Sequence, residues 1–209
     1  IGPFVDPRSV IAEKRNPKHV LAINPSLAKG AAIIAAVASI METEQPEITF
    51  EVVESRGDWT TILRSVRKKL GYEDRPLRNV IITPNQTDMR PVYSRAKILL
   101  VLSLWWESLP RVAIEAALNG IPCIGTKRGG IPEAINDTGT IIDLPPYCYD
   151  TPYNKLPEEN ILKEICTAIV LKMKTPPVNK KMIQKSLIEH NPTIRAKKLA
   201  STFEKLMNF

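Results

Sequence analysis

The chain has 209 residues, of which 44% are hydrophobic and 24% charged, the composition of a soluble globular protein with one ordinary domain. No run approaches the roughly 20 uninterrupted apolar residues that a membrane-spanning helix needs, and the chain does not open on a signal-peptide pattern. It begins Ile-Gly-Pro-Phe without an initiator Met. We therefore expect it to be a fragment of a longer protein.

The cysteines and histidines give no metal-binding pattern. Cys123, Cys148 and Cys166 lack Cys-x-x-Cys spacing, and the two histidines, His19 and His190, are far apart. Zinc sites usually take four such ligands at short spacings. We expect no metal site, and we expect the thiols to be buried or unreactive in a reducing cytoplasm.

The net charge of +7 is concentrated at the C-terminal end. From Lys172 onward the chain has nine Lys and Arg residues against Glu189 and Glu204, whereas the charges before Lys172 cancel. Nucleic-acid-binding proteins usually carry basic residues interleaved with aromatic ones, which these helices lack, so we expect no nucleic-acid partner. The basic excess indicates either a solvated helical face or a peripheral contact with an anionic membrane surface.

Strands and helices alternate after residues 1–17, a proline-rich segment that we interpret as a linker. Short apolar runs predict strands, and apolar residues with helical spacing predict helices. In chain order, the pattern predicts strand 19–24, helix 29–44, strand 48–53, a helix that Asp58 caps and Gly71 ends, strand 80–83, helix 88–96, strand 98–103, helix 110–119, strand 122–125, a turn at 132–135 and strand 140–143.

These short apolar strands predict a parallel sheet covered by helices on both faces. The fold class is therefore α/β, a doubly wound, Rossmann-like sheet, which we assign to residues 18–175. Three more helices are predicted near 158–174, 179–190 and 193–207. The last must pack on another surface, because its apolar residues share one face: Ala196, Leu199, Ala200, Phe203, Leu206 and Met207.

Ligands of open α/β sheets bind beyond the carboxyl ends of the strands, where helix N-termini offer backbone N–H groups. The first segment at such a position is residues 24–30, Asn-Pro-Ser-Leu-Ala-Lys-Gly. It matches neither G-x-G-x-x-G nor a Walker loop. It places the ammonium of Lys29 and the glycine Gly30 at a helix start, which suits a diphosphate and equally suits an ordinary surface lysine.

The second segment is residues 106–116, Trp-Glu-Ser-Leu-Pro-Arg-Val-Ala-Ile-Glu-Ala. Glu107 falls in the loop before a helix, Pro110 suits the first helical turn, and Glu115 follows in the second turn. The two carboxylates would complement the helix dipole as surface charges. The surroundings are largely apolar, however, and carboxylates in such a setting usually have polar partners, for which sugar and ribose hydroxyls are natural donors.

The sequence E-S-L-P-R-V-A-I-E-A-A-L-N-G-I-P, followed by G-T-K-R-G-G-I-P-E-A-I, resembles the donor-site signature of glycosyltransferase family four, with its Glu-x7-Glu spacing. The loop at residues 24–30 also resembles a variant of that family's first C-domain loop. The resemblance runs from about residue 18 to 143. It implies the C-terminal, donor-binding half of a retaining GT-B glycosyltransferase, with 1–17 as interdomain linker and 176–209 packing towards a missing N-terminal domain.

Position by position, the resemblance implies catalytic roles for two residues. Glu107 would hold hydroxyls of the donor sugar, and Lys29 would neutralise the departing diphosphate. Glu115 would accept hydrogen bonds from the ribose. The backbone of the segment from Leu109 to Arg111 would face the diphosphate, and Gly129 and Gly130 would let the chain pass close to the site. The other expected donor-binding residues are Asn24 and Gly30 in the first loop and Pro110 in the second.

Two of these residues depart from the family pattern. Many members have an Arg where this chain has Asn24, so one guanidinium is missing from the phosphate site. Gly is commoner at the position of Pro110, and the proline removes a potential N–H donor.

The resemblance implies transfer of a glycosyl unit from a nucleoside-diphosphate sugar to a glycan or glycolipid acceptor, on the cytoplasmic face of the membrane. It implies no cofactor and no metal, because Lys29 and the helix N-terminus stabilise the leaving group. We expect the isolated chain to bind a donor without turning it over. Two alternatives remain: a non-catalytic nucleotide-sugar-binding or assembly module, and a sugar-nucleotide epimerase, whose motifs we do not find.

Overall fold

The computed structural model describes residues 5–135, 139–175, 180–189 and 192–207. Six parallel strands form one sheet in the order β3-β2-β1-β4-β5-β6. This is the strand order of a doubly wound, Rossmann-like fold, so the predicted fold class is confirmed. The strands are β1 (His19–Ile23), β2 (Phe50–Val53), β3 (Val80–Thr83), β4 (Ala96–Val101), β5 (Cys123–Thr126) and β6 (Thr140–Ile142).

Helices cover both faces of the sheet, and every residue of β2, β4 and β5 is buried between them. One hydrophobic core lies under α2, α3 and α7, and a second lies under α4, α5 and α6. Within the described residues, no helix is long and apolar enough to cross a membrane. The helices are α1 (Pro7–Val10), α2 (Ala31–Glu44), α3 (Trp59–Lys69), α4 (Arg90–Arg95), α5 (Arg111–Leu118), α6 (Ile131–Ile135), α7 (Glu159–Met173), α8 (Lys180–Glu189) and α9 (Pro192–Met207).

The strand order reverses between β1 and β4, so the loops that follow these two strands meet at one edge of the sheet. The carbonyl of Ala28, after β1, accepts hydrogen bonds from the N–H groups of Leu104 and Trp105, after β4, at 2.9 and 3.0 Å. These bonds fix the two loops to each other. Both sequence segments singled out above are therefore neighbours in space.

The start of α2 differs from the prediction. Leu27–Lys29 form a separate 3-10 turn, Gly30 follows in the left-handed conformation with φ 79, and α2 begins only at Ala31. A side chain at Gly30 would come within 2.0 Å of the carbonyl oxygen of Leu102. Lys29 thus lies in a turn ahead of the helix instead of at its first residue.

The segment before β1 packs on the domain. The Asn119 side chain accepts from the N–H of Ala12 at 2.9 Å and donates to the carbonyl of Val10 at 3.0 Å. The short helix α1 was not predicted, because Pro7 indicates a loop. In the structure Pro7 occupies the first helical position, where its missing N–H costs nothing. That residues 1–17 link two domains stays a prediction, and residues 1–4 lie outside the described residues.

The last two helices differ in how they are covered. Helix α8 packs on α5 and buries Met182 and Ser186, whereas α9 contacts α8 and leaves most of its predicted apolar face exposed, including Phe203 and Leu206. The packing of 176–209 on another domain stays a prediction. Residues 176–179 and His190 lie outside the described residues.

The three cysteines are buried and unpaired, as predicted. Burial raises the pKa of Cys123 to about 12, so this thiol keeps its proton at neutral pH. It is therefore unsuited to act as a nucleophile or metal ligand.

Candidate functional site

A cavity of about 710 Å³ opens at the carboxyl ends of β1 and β4. This volume is in the range of small-molecule sites. Its wall includes the strand ends, the loop before α5, the first turn of α5 and Glu133 of α6. Six of the ten predicted site residues line it: Asn24, Lys29, Glu107, Leu109, Pro110 and Arg111.

The two predicted catalytic residues contact each other inside this cavity. The Lys29 ammonium donates to Oε1 of Glu107, and the pair is partly shielded, with side-chain exposures of 37% and 16%. The sequence analysis places the two residues in one site but does not predict this ion pair. Each residue therefore neutralises the charge of the other.

The buried residue Ser103 orients the Glu107 carboxylate. Its hydroxyl donates to Oε1 of Glu107 at 2.9 Å, and its backbone carbonyl accepts from the Thr126 hydroxyl at 2.7 Å. Ser103 is only 2% exposed. The sequence pattern places Ser103 in a strand without marking it as a site residue, although a polar residue at the end of an apolar strand is a usable signal.

The N-terminus of α5 faces the cavity. The helix begins at Arg111, one residue later than predicted, and Pro110 precedes it as the N-cap. The first N–H groups of any helix lack partners within it, and Arg111 and Val112 both line the cavity. Pro110 itself has no N–H to offer. The helix N-terminus therefore adds a positive partial charge to a part of the wall that also carries Arg111.

Glu115 lies in α5 and is 6% exposed. It accepts from the Tyr93 hydroxyl at 2.5 Å and from Nε of Arg111 at 2.6 Å. Burial, and then the charge of Glu115, raise the pKa of Tyr93, so the phenol keeps its proton and remains a donor. Tyr93 is a second residue that the sequence analysis missed. Glu115 is not among the described residues that line the cavity.

Asn24 shapes the loop after β1. Its backbone is left-handed, with φ 56, which asparagine tolerates better than most residues. Its side-chain oxygen accepts from the N–H of Arg56, in the loop after β2, at 3.1 Å. The side chain thus joins two neighbouring loops at the edge of the cavity.

Gly129 and Gly130 pass directly under the loop that carries Glu107. The N–H of Gly130 donates to the Glu107 carbonyl at 2.7 Å. Added side chains would come within 2.1 Å of the Glu107 carbonyl oxygen at Gly129, and within 1.8 Å of the Ser108 carbonyl oxygen at Gly130. The predicted close approach of these glycines is therefore to the Glu107 loop, which they support from outside the cavity.

Gly129→Ala, compared with Gly71→Ala, tests this close approach. Both glycines have positive φ, 54 and 75, but a side chain at Gly71 would meet nothing within 4 Å. We expect Gly71→Ala to cost about 1–2 kcal/mol from backbone conformation alone. Gly129→Ala should cost about 1–3 kcal/mol more, because the loop must move. Thermal unfolding of the two variants measures the difference, and equal melting temperatures would contradict the described packing.

A known relative and two solved structures are similar to this chain. It is 38% identical over 89 residues to N-acetyl-alpha-D-glucosaminyl L-malate synthase of Bacillus anthracis. The matched region covers 42% of this chain and 22% of that protein. The pneumococcal O-GlcNAc transferase GtfA has a TM-score of 0.67 at 18% identity, over 96% of this chain and 38% of that one. Sucrose-phosphate synthase from Thermosynechococcus elongatus has a TM-score of 0.67 at 17% identity, over 98% of this chain and 51% of that one.

These two structures share the fold of the chain, that of GT-B glycosyltransferases. The matched region spans between about a fifth and a half of the length of the three proteins. The family model for glycosyl transferases group 1 matches residues 27–147, which is more than half of the chain and includes Lys29, Glu107, Glu115 and both glycines. The chain belongs to the glycosyl transferases group 1 family.

Proposed function

We propose that this chain binds the nucleoside-diphosphate sugar of a retaining glycosyltransferase, as the C-terminal half of a longer enzyme that glycosylates a glycan or glycolipid. The observation that carries the proposal is the Lys29–Glu107 pair beside the N-terminus of α5. One cavity thereby offers cationic and N–H donors for phosphate and a carboxylate for hydroxyls. The pneumococcal transferase with this fold was solved with UDP and GlcNAc.

The diphosphate takes the place of Glu107 as the partner of Lys29. A diphosphate has more negative charge than a carboxylate, and the N–H groups of Arg111 and Val112 add favourable donors for it. The Lys29 side chain is 37% exposed and flexible enough to turn from one anion to the other. Binding of the donor therefore separates the pair without leaving the ammonium unpaired.

Glu107, once separated from Lys29, accepts hydrogen bonds from hydroxyls of the donor sugar. Ser103 stays bonded to it and keeps the carboxylate oriented. A carboxylate aimed at a phosphate would repel it, whereas one aimed at hydroxyls does not. This division places the sugar on the Glu107 side of the diphosphate.

Glu115 receives the ribose after Arg111 has moved. Tyr93 holds one carboxylate oxygen from the protein interior, while Arg111 covers the other with a side chain that is 60% exposed. Rotation of that exposed side chain uncovers Oε1 of Glu115 for the ribose hydroxyls. The guanidinium is then available to the diphosphate, which compensates for the absence of an arginine at position 24.

In the reaction, the bond between the sugar carbon and the diphosphate oxygen breaks, and its electron pair stays on the diphosphate. The acceptor hydroxyl oxygen bonds to the same face of the sugar carbon, and its proton passes to the departing diphosphate oxygen on that face. Lys29 and the N-terminus of α5 stabilise the charge that accumulates on the leaving group, so the proposal requires no metal ion.

We further propose that the exposed apolar face of α9 packs on the N-terminal domain, and that the lysines of the C-terminal helices contact an anionic membrane from the cytoplasm. Phe203, Leu206 and Met207 are 56%, 66% and 82% exposed, and exposed apolar side chains that cluster in this way commonly mark interaction sites. The charge of +7 after residue 171 suits anionic lipid headgroups.

The donor-site proposal predicts that the chain binds a nucleoside diphosphate. Ligand at about 100 times its dissociation constant adds roughly 2.7 kcal/mol of stability, which should raise the melting temperature by about 5–10 °C. A thermal-shift series with UDP, GDP, ADP, TDP and CDP measures this. No shift with any of the five at millimolar concentration would show that the cavity is not a nucleotide site.

Lys29→Ala in the full-length enzyme should lower kcat more than it raises the donor KM. The diphosphate gains charge as the bond breaks, so a fixed ammonium stabilises the transition state more than the ground state. The loss of one such donor typically costs about 10²–10³ in rate. Lys127→Ala is the matched control, because Lys127 also lies in a loop at this edge of the sheet but pairs with Asp143.

Activity should also persist in EDTA. A kcat near the wild-type value in Lys29→Ala would contradict the role of Lys29. Loss of activity in EDTA, restored by magnesium or manganese, would contradict the proposed metal independence.

A further inference from the structure

Two adjacent exposed tryptophans directly precede Glu107, in the loop that reaches the cavity. Trp105 is 55% exposed and Trp106 is 65% exposed, whereas Trp59, the remaining tryptophan, is fully buried. Exposed indoles are costly to leave in water, and they commonly mark binding sites. Nothing in the donor-site proposal uses either ring.

Trp106 is held in a fixed orientation despite its exposure. The Arg128 guanidinium lies between two aromatic rings, 4.9 Å from the centroid of Trp106 and 4.5 Å from that of Tyr149. Its Nε also donates to the carbonyl of Leu104 at 3.2 Å, in the loop that carries the tryptophans. One side of the Trp106 indole is thus backed by a cation, while much of its surface remains accessible.

The two tryptophans adjoin, along the chain, the residue that the proposed function places at the sugar end of the cavity. Trp106 directly precedes Glu107, and consecutive Cα atoms are about 3.8 Å apart. Arg128 directly precedes the glycines that support the Glu107 loop. The rings and the carboxylate are therefore parts of one loop and share its supports.

The surroundings of the rings favour a carbohydrate over a protein partner. Ser108 and Lys127 are exposed, and Glu107 and Arg128 are partly so, so the apolar surface is narrow and polar groups border it. A sugar ring matches this pattern, because its C–H face is apolar and its edge carries hydroxyls. Stable protein interfaces usually bury about 800 Å² on each partner, much more than two rings supply.

We propose that Trp105 and Trp106 form a stacking platform for a sugar ring of the acceptor glycan, with Arg128 as the residue that positions Trp106. The identity of the ligand as acceptor rests on the proposed function, since Trp106 directly precedes Glu107, the residue that would hold the donor sugar. Stacking on a fixed ring holds the acceptor at the cavity rim. It thereby favours glycan acceptors over acceptors without a sugar ring.

Glycan titration of the 209-residue chain, monitored by tryptophan emission, tests the platform. Trp59 is buried, so a change in emission reports on the two exposed rings. With a panel of maltotriose, cellotriose, mannotriose and chitotriose at millimolar concentrations, we expect a saturable change with at least one sugar. If none of the four sugars changes the emission, the proposal is overturned. That result is expected if the rings serve only as a contact for another domain.

Variants separate the platform from the donor site. By calorimetry, Trp106→Ala should weaken binding of the responsive trisaccharide by about 10-fold, from the loss of roughly 1.4 kcal/mol of aromatic contact. Arg128→Gln should weaken it by about 2- to 5-fold through loss of the cation backing. Ile82→Ala is the matched control. Ile82 is also an exposed apolar residue, at 47%, but it lies on β3, the edge strand at the other end of the sheet from β6. This substitution should leave the glycan affinity unchanged.

Nucleoside-diphosphate thermal shifts of the same variants complete the test. Trp106→Ala should keep the wild-type nucleotide shift although its affinity for the glycan is lower. Unchanged glycan affinity in Trp106→Ala would overturn the platform. Absence of the nucleotide shift in the wild-type chain would instead overturn the donor site, and the two failures are therefore distinguishable.

Discussion

An ammonium and a carboxylate from loops 78 residues apart meet at the carboxyl ends of β1 and β4, and the rest of the site is arranged around this ion pair of Lys29 and Glu107. The parallel strand order makes it possible, because β1 and β4 are neighbours although four helical segments separate them in the chain. The Ala28 carbonyl ties the two loops together. Gly129 and Gly130 then support the carboxylate loop where any side chain would push it away.

Under the proposed function, the same pair would let a site with both charges bind an anionic donor. The two charges neutralise each other, and the Ser103 hydroxyl donates a further hydrogen bond to the carboxylate. A diphosphate sugar carries both complementary groups, phosphate for the ammonium and hydroxyls for the carboxylate. Exchange of one ion pair for two sets of ligand contacts therefore leaves neither protein charge unpaired. Glu115 repeats this arrangement, with Arg111 as its exchangeable partner and Tyr93 as its fixed one.

The fold class could be predicted from the sequence because buried parallel strands must be almost wholly apolar, as β4 is. The candidate site could be predicted because carboxylates at Glu107 and Glu115 stand out in an apolar segment. The helix α1 and the turn before α2 could not, because tertiary contacts of Asn119 and the carbonyl of Leu102 determine them. Local propensity does not contain such long-range contacts.

The contacts of the predicted site residues also could not be predicted from the sequence. Tyr93 is in α4, and only folding brings it to Glu115. The indole–guanidinium contact of Trp106 and Arg128 likewise joins loops after different strands. Asn24 was interpreted only as a lost arginine, whereas its left-handed backbone and its bond to Arg56 depend on the neighbouring β2 loop. In each case the type of residue could be read from the sequence, but its contacts in the folded protein could not.

A crystal structure of the chain with a bound nucleoside diphosphate tests the central claim most directly, since it shows which anion Lys29 contacts. The account predicts a phosphate oxygen within hydrogen-bonding distance of the Lys29 ammonium and of the first N–H groups of α5, with Glu107 separated from Lys29 and still bonded to Ser103. A nucleotide bound elsewhere, or bound in this cavity with the Lys29–Glu107 pair intact, would contradict it.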